Sequence, residues 1–165
     1  MQKQLIWFRT EEKEAEIIDE WMSTADKHFL CMKNKGWQQT SRDIGDCLKY
    51  APNGQFVNVF GIANNTPVVA VMVGLEKQGK VLNIYDIIVN PKFRGNGVGK
   101  LAVLDILKNK FGFSSTYKQI VSSVYPNNKV ALKLFADLGF KKSKVQDGLI
   151  VMSKPAMKEQ TLQSE

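Results

Sequence analysis

The chain has 165 residues, of which 44% are hydrophobic and 24% charged, and its formal net charge is +7. This size and composition fit one folded domain and exclude a disordered or collagen-like chain. We expect that domain to cover residues 1–154, with a flexible C-terminal tail over residues 155–165. The longest apolar runs, such as residues 68–75, are far shorter than the roughly 20 residues of a transmembrane helix.

The N-terminus shows no signal-peptide pattern, so a cytoplasmic location without a membrane partner is expected. Cys31 and Cys47 form neither a CxxC pair nor a disulfide framework, and His28 is the only histidine. A bound metal is therefore not expected. The positive charge favours an anionic partner, such as a phosphorylated cofactor or nucleic acid, without choosing between them.

The N-terminal third predicts a strand and two helices. Residues 5–8 (LIWF) form a short apolar run, and residues 11–22 place apolar side chains at helical spacing. The pattern is irregular over residues 24–39. Thr40 or Ser41 then provides an N-cap for a second helix that ends near Tyr50.

Residues 54–89 give the clearest β pattern in the chain. Three apolar runs rich in β-branched residues are separated by the turn sequences NNT and EKQGK. We predict a three-stranded antiparallel meander, of which the last strand covers residues 81–89.

Two helices follow, separated by one strand over residues 117–124. The first helix is predicted over residues 98–110, with Asp105, Lys108 and Asn109 on its polar face. The second is capped by Asn127 or Asn128 and ends at Gly139, where Phe140 can pack back on Phe135. Its predicted buried stripe consists of Val130, Ala131, Leu134, Phe135 and Leu138. A closing hairpin turns at Asp147 and Gly148.

The segment NPKFRGNGVGK, residues 90–100, connects the last meander strand to a helix and contains three glycines and the cations Lys92, Arg94 and Lys100. Glycine lets a ligand approach the main chain closely, and the first amides of a helix lack intrahelical partners. With Arg94 beside them, these amides predict an anion site, most plausibly for a phosphate or pyrophosphate. The alternative is a loop whose glycines serve only a tight turn.

Two familiar phosphate-binding motifs do not fit this segment. A Walker A loop requires Ser or Thr after Gly99-Lys100, where the chain has Leu101. A GxGxxG fingerprint would place its third glycine at Lys100. The pattern Val89-x-Pro91-x-Phe93-Arg94-x-x-Gly97-x-Gly99 instead resembles the acetyl-CoA signature of the GNAT superfamily of N-acetyltransferases. Residues 128–140, NKVALKLFADLGF, are similar to that family's second motif.

The resemblance implies a GNAT-like α/β fold, in which a mixed, mostly antiparallel central sheet of 6–7 strands carries helices on both faces. It implies acetyl-CoA as cosubstrate, with the pyrophosphate on the glycine segment and the pantetheine arm along the edge of the strand that ends at Val89. The strand over residues 120–124 would splay away to make room. The cofactor-binding residues implied are Ile87, Ile88, Val89, Arg94, Gly95, Asn96, Gly97, Val98, Gly99, Lys100 and Asn128. Asn128 has the alternative role of a purely structural N-cap.

The same resemblance places the chemistry near Asp86, a carboxylate within an otherwise apolar strand. Asp86 would attract a cationic amine and take its proton, directly or through water; its alternative is an ordinary exposed or salt-bridged residue. The family implies an oxyanion-binding amide near Val89, at a β-bulge. It often has a Tyr as general acid where this chain has Phe135, so Tyr125 is the substitute candidate, with Tyr85 also nearby.

The first functional hypothesis is an N-acetyltransferase that moves the acetyl group of acetyl-CoA to a primary amine by direct transfer in a ternary complex. The second is a non-catalytic, regulatory domain that binds acyl-CoA, suggested by Phe135. Nucleic-acid binding rests on net charge alone and is not expected. The acceptor is a small-molecule or peptide amine that the sequence does not identify, and a homodimer stays open.

Overall fold

The computed structural model describes residues 4–9, 20–21, 56–63, 69–108 and 117–156. Seven strands form one sheet: β1 Leu5–Arg9, β2 Phe56–Ala63, β3 Val69–Gln78, β4 Val81–Val89, β5 Gln119–Val124, β6 Lys141–Gln146 and β7 Leu149–Pro155. Their order is β1-β2-β3-β4-β5-β7-β6. All neighbouring pairs are antiparallel except β4 and β5, which run parallel. The predicted mixed, mostly antiparallel sheet is confirmed.

Strands β3 and β4 form the centre of the sheet and are two of the three strands of the predicted meander. Nearly every side chain of β3 is buried, as expected for a strand whose two faces are both covered. The hairpin between them turns at Gly79, which has a φ of 57°. Glycine adopts this left-handed conformation without steric cost, so the turn follows directly from the sequence EKQGK.

Helix α1, Val98–Leu107, connects β4 to β5 and packs on the sheet. Its residues Ala102, Val103 and Ile106 are fully buried in the core. The helix ends three residues before the predicted Lys110. Asp105, which the sequence grouped with the polar face, is 1% exposed and accepts a hydrogen bond from Trp7 Nε1 at 2.8 Å. No helix of the described residues is long and apolar enough to cross a bilayer.

Helix α2, Lys129–Asp137, begins and ends as the sequence predicts. Of the two candidate caps, Asn128 is the one used, because its Oδ1 accepts from the Ala131 amide at 3.2 Å. At the other end Gly139 has a φ of 84°, and the amides of Gly139 and Phe140 donate to the carbonyls of Ala136 and Phe135. These two bonds form a Schellman motif.

The predicted stripe of α2 is correct at its centre and wrong at its start. Phe135 is 3% exposed, and its ring packs edge-on against Phe140 with centroids 5.0 Å apart. Val130, by contrast, is 83% exposed. Ala131 and Leu132 of the same first turn pack against the core, so the stripe meets the core from Ala131 onwards. Helical periodicity alone does not reveal where a core ends.

The C-terminal hairpin turns at Asp147 and Gly148, with φ of 52° and 76°, as the sequence predicts for a type I′ turn. Strand β7 includes Pro155, and the Ala156 amide donates to the Lys118 carbonyl at 2.9 Å. The folded domain thus extends at least two residues beyond the predicted boundary at residue 154. The remainder of the predicted tail lies outside the described residues, as do the second helix, the irregular segment and all but Glu20 and Trp21 of the first helix.

Candidate active site

The site begins where the sheet divides. Strands β4 and β5 pair in parallel from Val81↔Gln119 to Ile84↔Ser122, and the pairing stops there although β4 continues to Val89. Ser122 Oγ donates to the Ile84 carbonyl at 3.0 Å, at this last paired position. Beyond it the two strands enclose a cleft of about 550 Å³. This arrangement matches the predicted splaying of the strand over residues 120–124.

Beyond the split, β4 keeps one edge of its backbone turned towards the cleft. The Asn90 amide donates to the Ala70 carbonyl in β3 at 2.9 Å. Because consecutive residues of a strand direct their polar groups to opposite edges, the polar groups of Val89 and Ile87 face the cleft. The Val89 carbonyl accepts from Arg94 Nε at 3.1 Å. The amides of Ile87 and Val89 and the Ile87 carbonyl therefore face the space that a ligand would occupy.

Asn90 anchors the glycine segment to the sheet. It is 5% exposed, its Nδ2 donates to the Val69 carbonyl at 2.9 Å, and its Oδ1 accepts from the Lys92 amide at 3.0 Å. The latter bond caps a short 3₁₀ turn over Pro91–Phe93. Sequence reasoning did not single out Asn90, although an Asn before Pro is a common turn-forming pair.

The three glycines of the segment have different roles. Gly95 and Gly97 have φ of 74° and 77°, with nothing near the position of a Cβ, so backbone conformation accounts for them. Gly99 lies in the first turn of α1 with an ordinary φ. A Cβ there would touch only Val89 and Leu134, at 3.7 and 3.8 Å. Since glycine weakens a helix and an alanine would make only ordinary contacts here, neither conformation nor packing accounts for Gly99, whereas a ligand that approaches the main chain would.

Three main-chain amides at the start of α1 are directed out of the helix. Gly97 is the N-cap and has no side chain to accept from them, and the first intrahelical bond is donated by Leu101. The amides of Val98, Gly99 and Lys100 are therefore available to an anion. The amides of Arg94 and Asn96 instead donate within the turn, to the carbonyls of Pro91 and Phe93, at 3.3 and 3.4 Å.

The Arg94 side chain spans two elements. Besides Val89, its guanidinium donates from Nη2 to the Trp21 carbonyl at 3.0 Å. Trp21 is helical and 9% exposed. Arg94 therefore fastens the glycine segment to the N-terminal part of the chain, which the sequence did not indicate. The exposed Lys100 is a second cation that lines the cleft.

The cleft brings together nearly all the predicted residues. Those that line it are Asp86, Ile87, Ile88, Val89, Arg94, Gly95, Gly97, Val98, Gly99, Lys100 and Asn128. Asn96 and Tyr125 are not among its lining residues. Asn128 uses Oδ1 as the helix cap, which leaves its Nδ2 as the group that can donate to a ligand. Phe135 also lines the cleft, where it is held by its packing in the core.

A β-bulge lies at the point where the sheet divides. The β3–β4 register places Ile84 opposite Leu75 but Asp86 opposite Gly74, so Tyr85 is the extra residue of β4. The bulge is thus four residues before Val89, not beside it as the sequence analysis expected. Bulges re-aim side chains, and this one places both Tyr85 and Asp86 along the cleft.

Tyr85 forms a hydrogen bond that sequence reasoning missed. Its hydroxyl donates to the Oε2 atom of Glu76, which also accepts from Gln78 Nε2 at 3.0 Å. Glu76 is only 3% exposed. Burial raises the pKa of Tyr85, and the hydrogen bond and negative charge of Glu76 raise it further. In the sequence, Glu76 is a charged residue directly after the apolar run of residues 68–75, and we assigned it to the turn EKQGK. Among the described residues no cluster could hold a metal ion.

Comparisons with known proteins agree with this geometry. The model of the acetyltransferase (GNAT) family matches residues 9–140, whereas a search of curated protein sequences gives no significant match. A GNAT-family acetyltransferase from Streptococcus pneumoniae aligns with a TM-score of 0.66 and 18% identity, over 93% of this chain and 100% of that one.

Two further solved structures have similar folds. Aminoglycoside acetyltransferase AAC(6')-Ib in complex with coenzyme A aligns with a TM-score of 0.70 and 15% identity, over 92% of this chain and 95% of that one. Mutant forms of the spermidine/spermine N-acetyltransferase SpeG from Vibrio cholerae align with a TM-score of 0.67 and 15% identity, over 93% and 95%. At such identities these structures show the fold, while the family match covers most of the chain. The chain therefore belongs to the GNAT family of acetyltransferases and is an acyltransferase of that type.

Proposed function

We propose that this chain transfers the acetyl group of acetyl-CoA to a primary amine, by direct attack within a ternary complex in the cytoplasm. The observation that carries the proposal is the continuity of the cleft. It runs from the outward-directed amides at the start of α1, along the open edge of β4, to Asp86 at the split in the sheet. A phosphorylated thioester carrier requires an anion-binding end, and a cationic amine requires a carboxylate at the other end.

The cofactor end fits the parts of coenzyme A. The amides of Val98, Gly99 and Lys100, with the Lys100 ammonium, would hold the pyrophosphate. The amides of Ile87 and Val89 and the Ile87 carbonyl would pair with the pantetheine arm like an added strand. Asn128 Nδ2 would donate to the same arm. When bound, acetyl-CoA supplies the activated acetyl group as a thioester.

The acceptor end supplies a negative charge for the amine. A lysine-like amine with a pKa of about 10.4 is protonated at pH 7, and exposing its lone pair costs about 4.6 kcal/mol. Asp86 lies opposite Gly74, so the directly paired position of β3 has no side chain to cover its carboxylate. We propose that Asp86 attracts the ammonium and helps to remove its proton, directly or through water.

The departing thiolate requires little help. A thiol of pKa near 8.5 leaves as the thiolate far more readily than an amide nitrogen would. Phe135 offers no proton, and Tyr125, our sequence candidate for the acid, does not line the cleft. We therefore propose that catalysis proceeds without an indispensable side-chain acid, and that any contribution of Tyr125 is small.

A cationic small molecule is the acceptor that we favour. Asp86 favours positive charge, and two proteins of similar fold are described as aminoglycoside and spermidine/spermine acetyltransferases. The experiment is a screen of acetyl-CoA with spermidine, ribostamycin and a peptide with a free N-terminus, read by thiol release. A parallel calorimetric titration measures acetyl-CoA binding.

The two measurements separate the hypotheses. Thiol release that depends on an amine supports the acetyltransferase. Tight binding of acetyl-CoA without turnover on any amine would favour the regulatory, non-catalytic domain. Absence of binding would exclude both.

A further inference from the structure

The pair formed by Tyr85 and Glu76 is not explained by the fold. Tyr85 is the extra residue of the bulge in β4, so no residue of β3 is directly opposite it in the register. Its hydroxyl nevertheless reaches a carboxylate on β3 that is 3% exposed. A buried charge is costly unless hydrogen bonds compensate it, and here Tyr85 and Gln78 both donate to the same oxygen, Oε2.

This pair faces the acceptor side of the sheet. Leu75 and Ile84 are paired and both belong to the core that packs under α1. Because side chains alternate along a strand, Glu76 and Gly74 belong to the opposite face. Asp86 is paired with Gly74, and the hydrogen bond to Glu76 draws the Tyr85 hydroxyl to the same face. Tyr85 also lines the cleft at the split. Tyr85 therefore connects the cleft to a buried carboxylate.

The direction of this hydrogen bond determines what Tyr85 presents to a substrate. Its proton points to Glu76, so the phenolic oxygen can act only as an acceptor in a hydrogen bond with a substrate. Because burial and Glu76 raise the pKa of Tyr85, the phenol stays protonated and acts neither as a standing base nor as a ready acid. A group of this kind can accept one proton only while it gives up another.

We propose that Tyr85 and Glu76 form a proton relay that deprotonates the acceptor amine; this inference rests on the proposed acetyltransferase function. The ammonium passes a proton to Tyr85 Oη while the phenolic proton moves to Glu76 Oε2. The phenol is regenerated, Glu76 becomes a neutral carboxylic acid, and the amine is left with its lone pair. Asp86 then serves to attract and orient the ammonium. Tyr85 contacts the substrate, and Glu76 acts through it.

The remaining steps balance without another reactant. The nitrogen lone pair forms the C–N bond to the acetyl carbon, and the C–S bond breaks with its electron pair on sulfur. The nitrogen loses its second proton, which the thiolate takes up to give the free thiol. Glu76 returns its proton through Tyr85 to solvent. The net products are the acetylated amine, coenzyme A and one proton.

The test compares Tyr85→Phe, Glu76→Gln and the double variant with the wild type, and each substitution nearly preserves shape. The probes are the best basic amine of the screen and hydroxylamine, a weak base that is already mostly neutral at pH 7. Tyr117→Phe is the matched control, because Tyr117 is 8% exposed in the core and does not line the cleft. Thermal unfolding and the KM for acetyl-CoA are measured for every variant.

With the basic amine we expect each single variant to lose about 10²-fold in kcat, the lower range for general acid–base catalysis. The double variant should lose no more than either single one, because the two residues act as a unit. The KM for acetyl-CoA should not change, the loss with hydroxylamine should be much smaller, and Tyr117→Phe should keep full activity.

Three results would overturn the relay. A general base contributes at least ~10²-fold to turnover. If the wild type is active and both single variants keep turnover within about threefold, the relay is refuted. Asp86 alone then suffices, and the acetyltransferase function stands. Equal losses with both probes would indicate a structural role for the pair. A wild type that is inactive on every amine would refute the proposed function and the relay with it.

Discussion

Gly99→Ala should change binding and stability in opposite directions. The substitution places a methyl group between Val89 and Leu134, both of which line the cleft. Its contacts of 3.7 and 3.8 Å with these side chains are ordinary, and the φ of Gly99 requires no glycine. Replacing Gly by Ala inside a helix gains about 1 kcal/mol. For a chain of this size such a gain raises Tm by about 2–4 °C.

The effect on acetyl-CoA is expected to be a loss. If the methyl group keeps the pyrophosphate from one or two of the three amides at the start of α1, each lost charge-assisted bond costs about 1.5–3 kcal/mol. The Kd should therefore rise by about 10- to 100-fold or more. Isothermal titration calorimetry measures the affinity, and scanning calorimetry without ligand measures Tm. A protein that is more stable and binds more weakly cannot owe the weaker binding to misfolding.

Ala102→Gly provides the reciprocal control. Ala102 lies in the same helix, is fully buried and does not line the cleft. This variant should lower Tm and leave the Kd unchanged. An unchanged or lower Kd in Gly99→Ala would refute the idea that the glycine makes room for a phosphate.

Three further predictions concern single residues. Asp86→Asn should lower turnover by about 10²-fold, the contribution of a positioned base or charge, and should leave the calorimetric Kd for acetyl-CoA unchanged; normal turnover at every pH would reduce Asp86 to a structural residue. Arg94→Ala removes the donors to the carbonyls of Val89 and Trp21, so both Tm and affinity for acetyl-CoA should fall, and a variant with neither change would contradict the role of Arg94. Phe135→Tyr should change kcat by less than about tenfold, below the usual contribution of a general acid, whereas a rise of several orders of magnitude from near zero would favour the regulatory hypothesis.

The parts of the fold that follow from short-range chemistry were predictable. Strands β3 and β4 contain long apolar runs joined by a glycine turn. Strand β4 has the predicted bounds, whereas β3 continues to Gln78, into the sequence EKQGK that we assigned to the turn. The end of α2 depends on Gly139 and Phe140, which are adjacent in the chain. The outward-directed amides at the start of α1 follow from the position of the glycines before a helix. Each of these features needs only local sequence and a known backbone geometry.

The features that were missed depend on register and long-range packing. A bulge inserts one residue without altering composition, so its location at Tyr85 is visible only once β3 and β4 are aligned. The contact between Tyr85 and Glu76 follows from that register. The sequence predicts phosphate binding for Arg94 but not its contacts with the carbonyls of Val89, five residues away, and Trp21, 73 residues away. Val130 shows the same limitation, because periodicity defines a helix face and not the extent of the core.

The hydrogen bond between Trp7 and Asp105 joins residues 98 positions apart. Among the described strands β1 is at the edge of the sheet and pairs with β2, and this bond to α1 adds to the burial of Leu5 in attaching β1 to the core. Closing a loop of that length costs about 4 kcal/mol of chain entropy. During synthesis the N-terminal strand must wait until α1 has emerged before Asp105 can accept the indole proton. We therefore expect β1 to dock late in folding, and its amides to exchange with solvent sooner than those of the central strands.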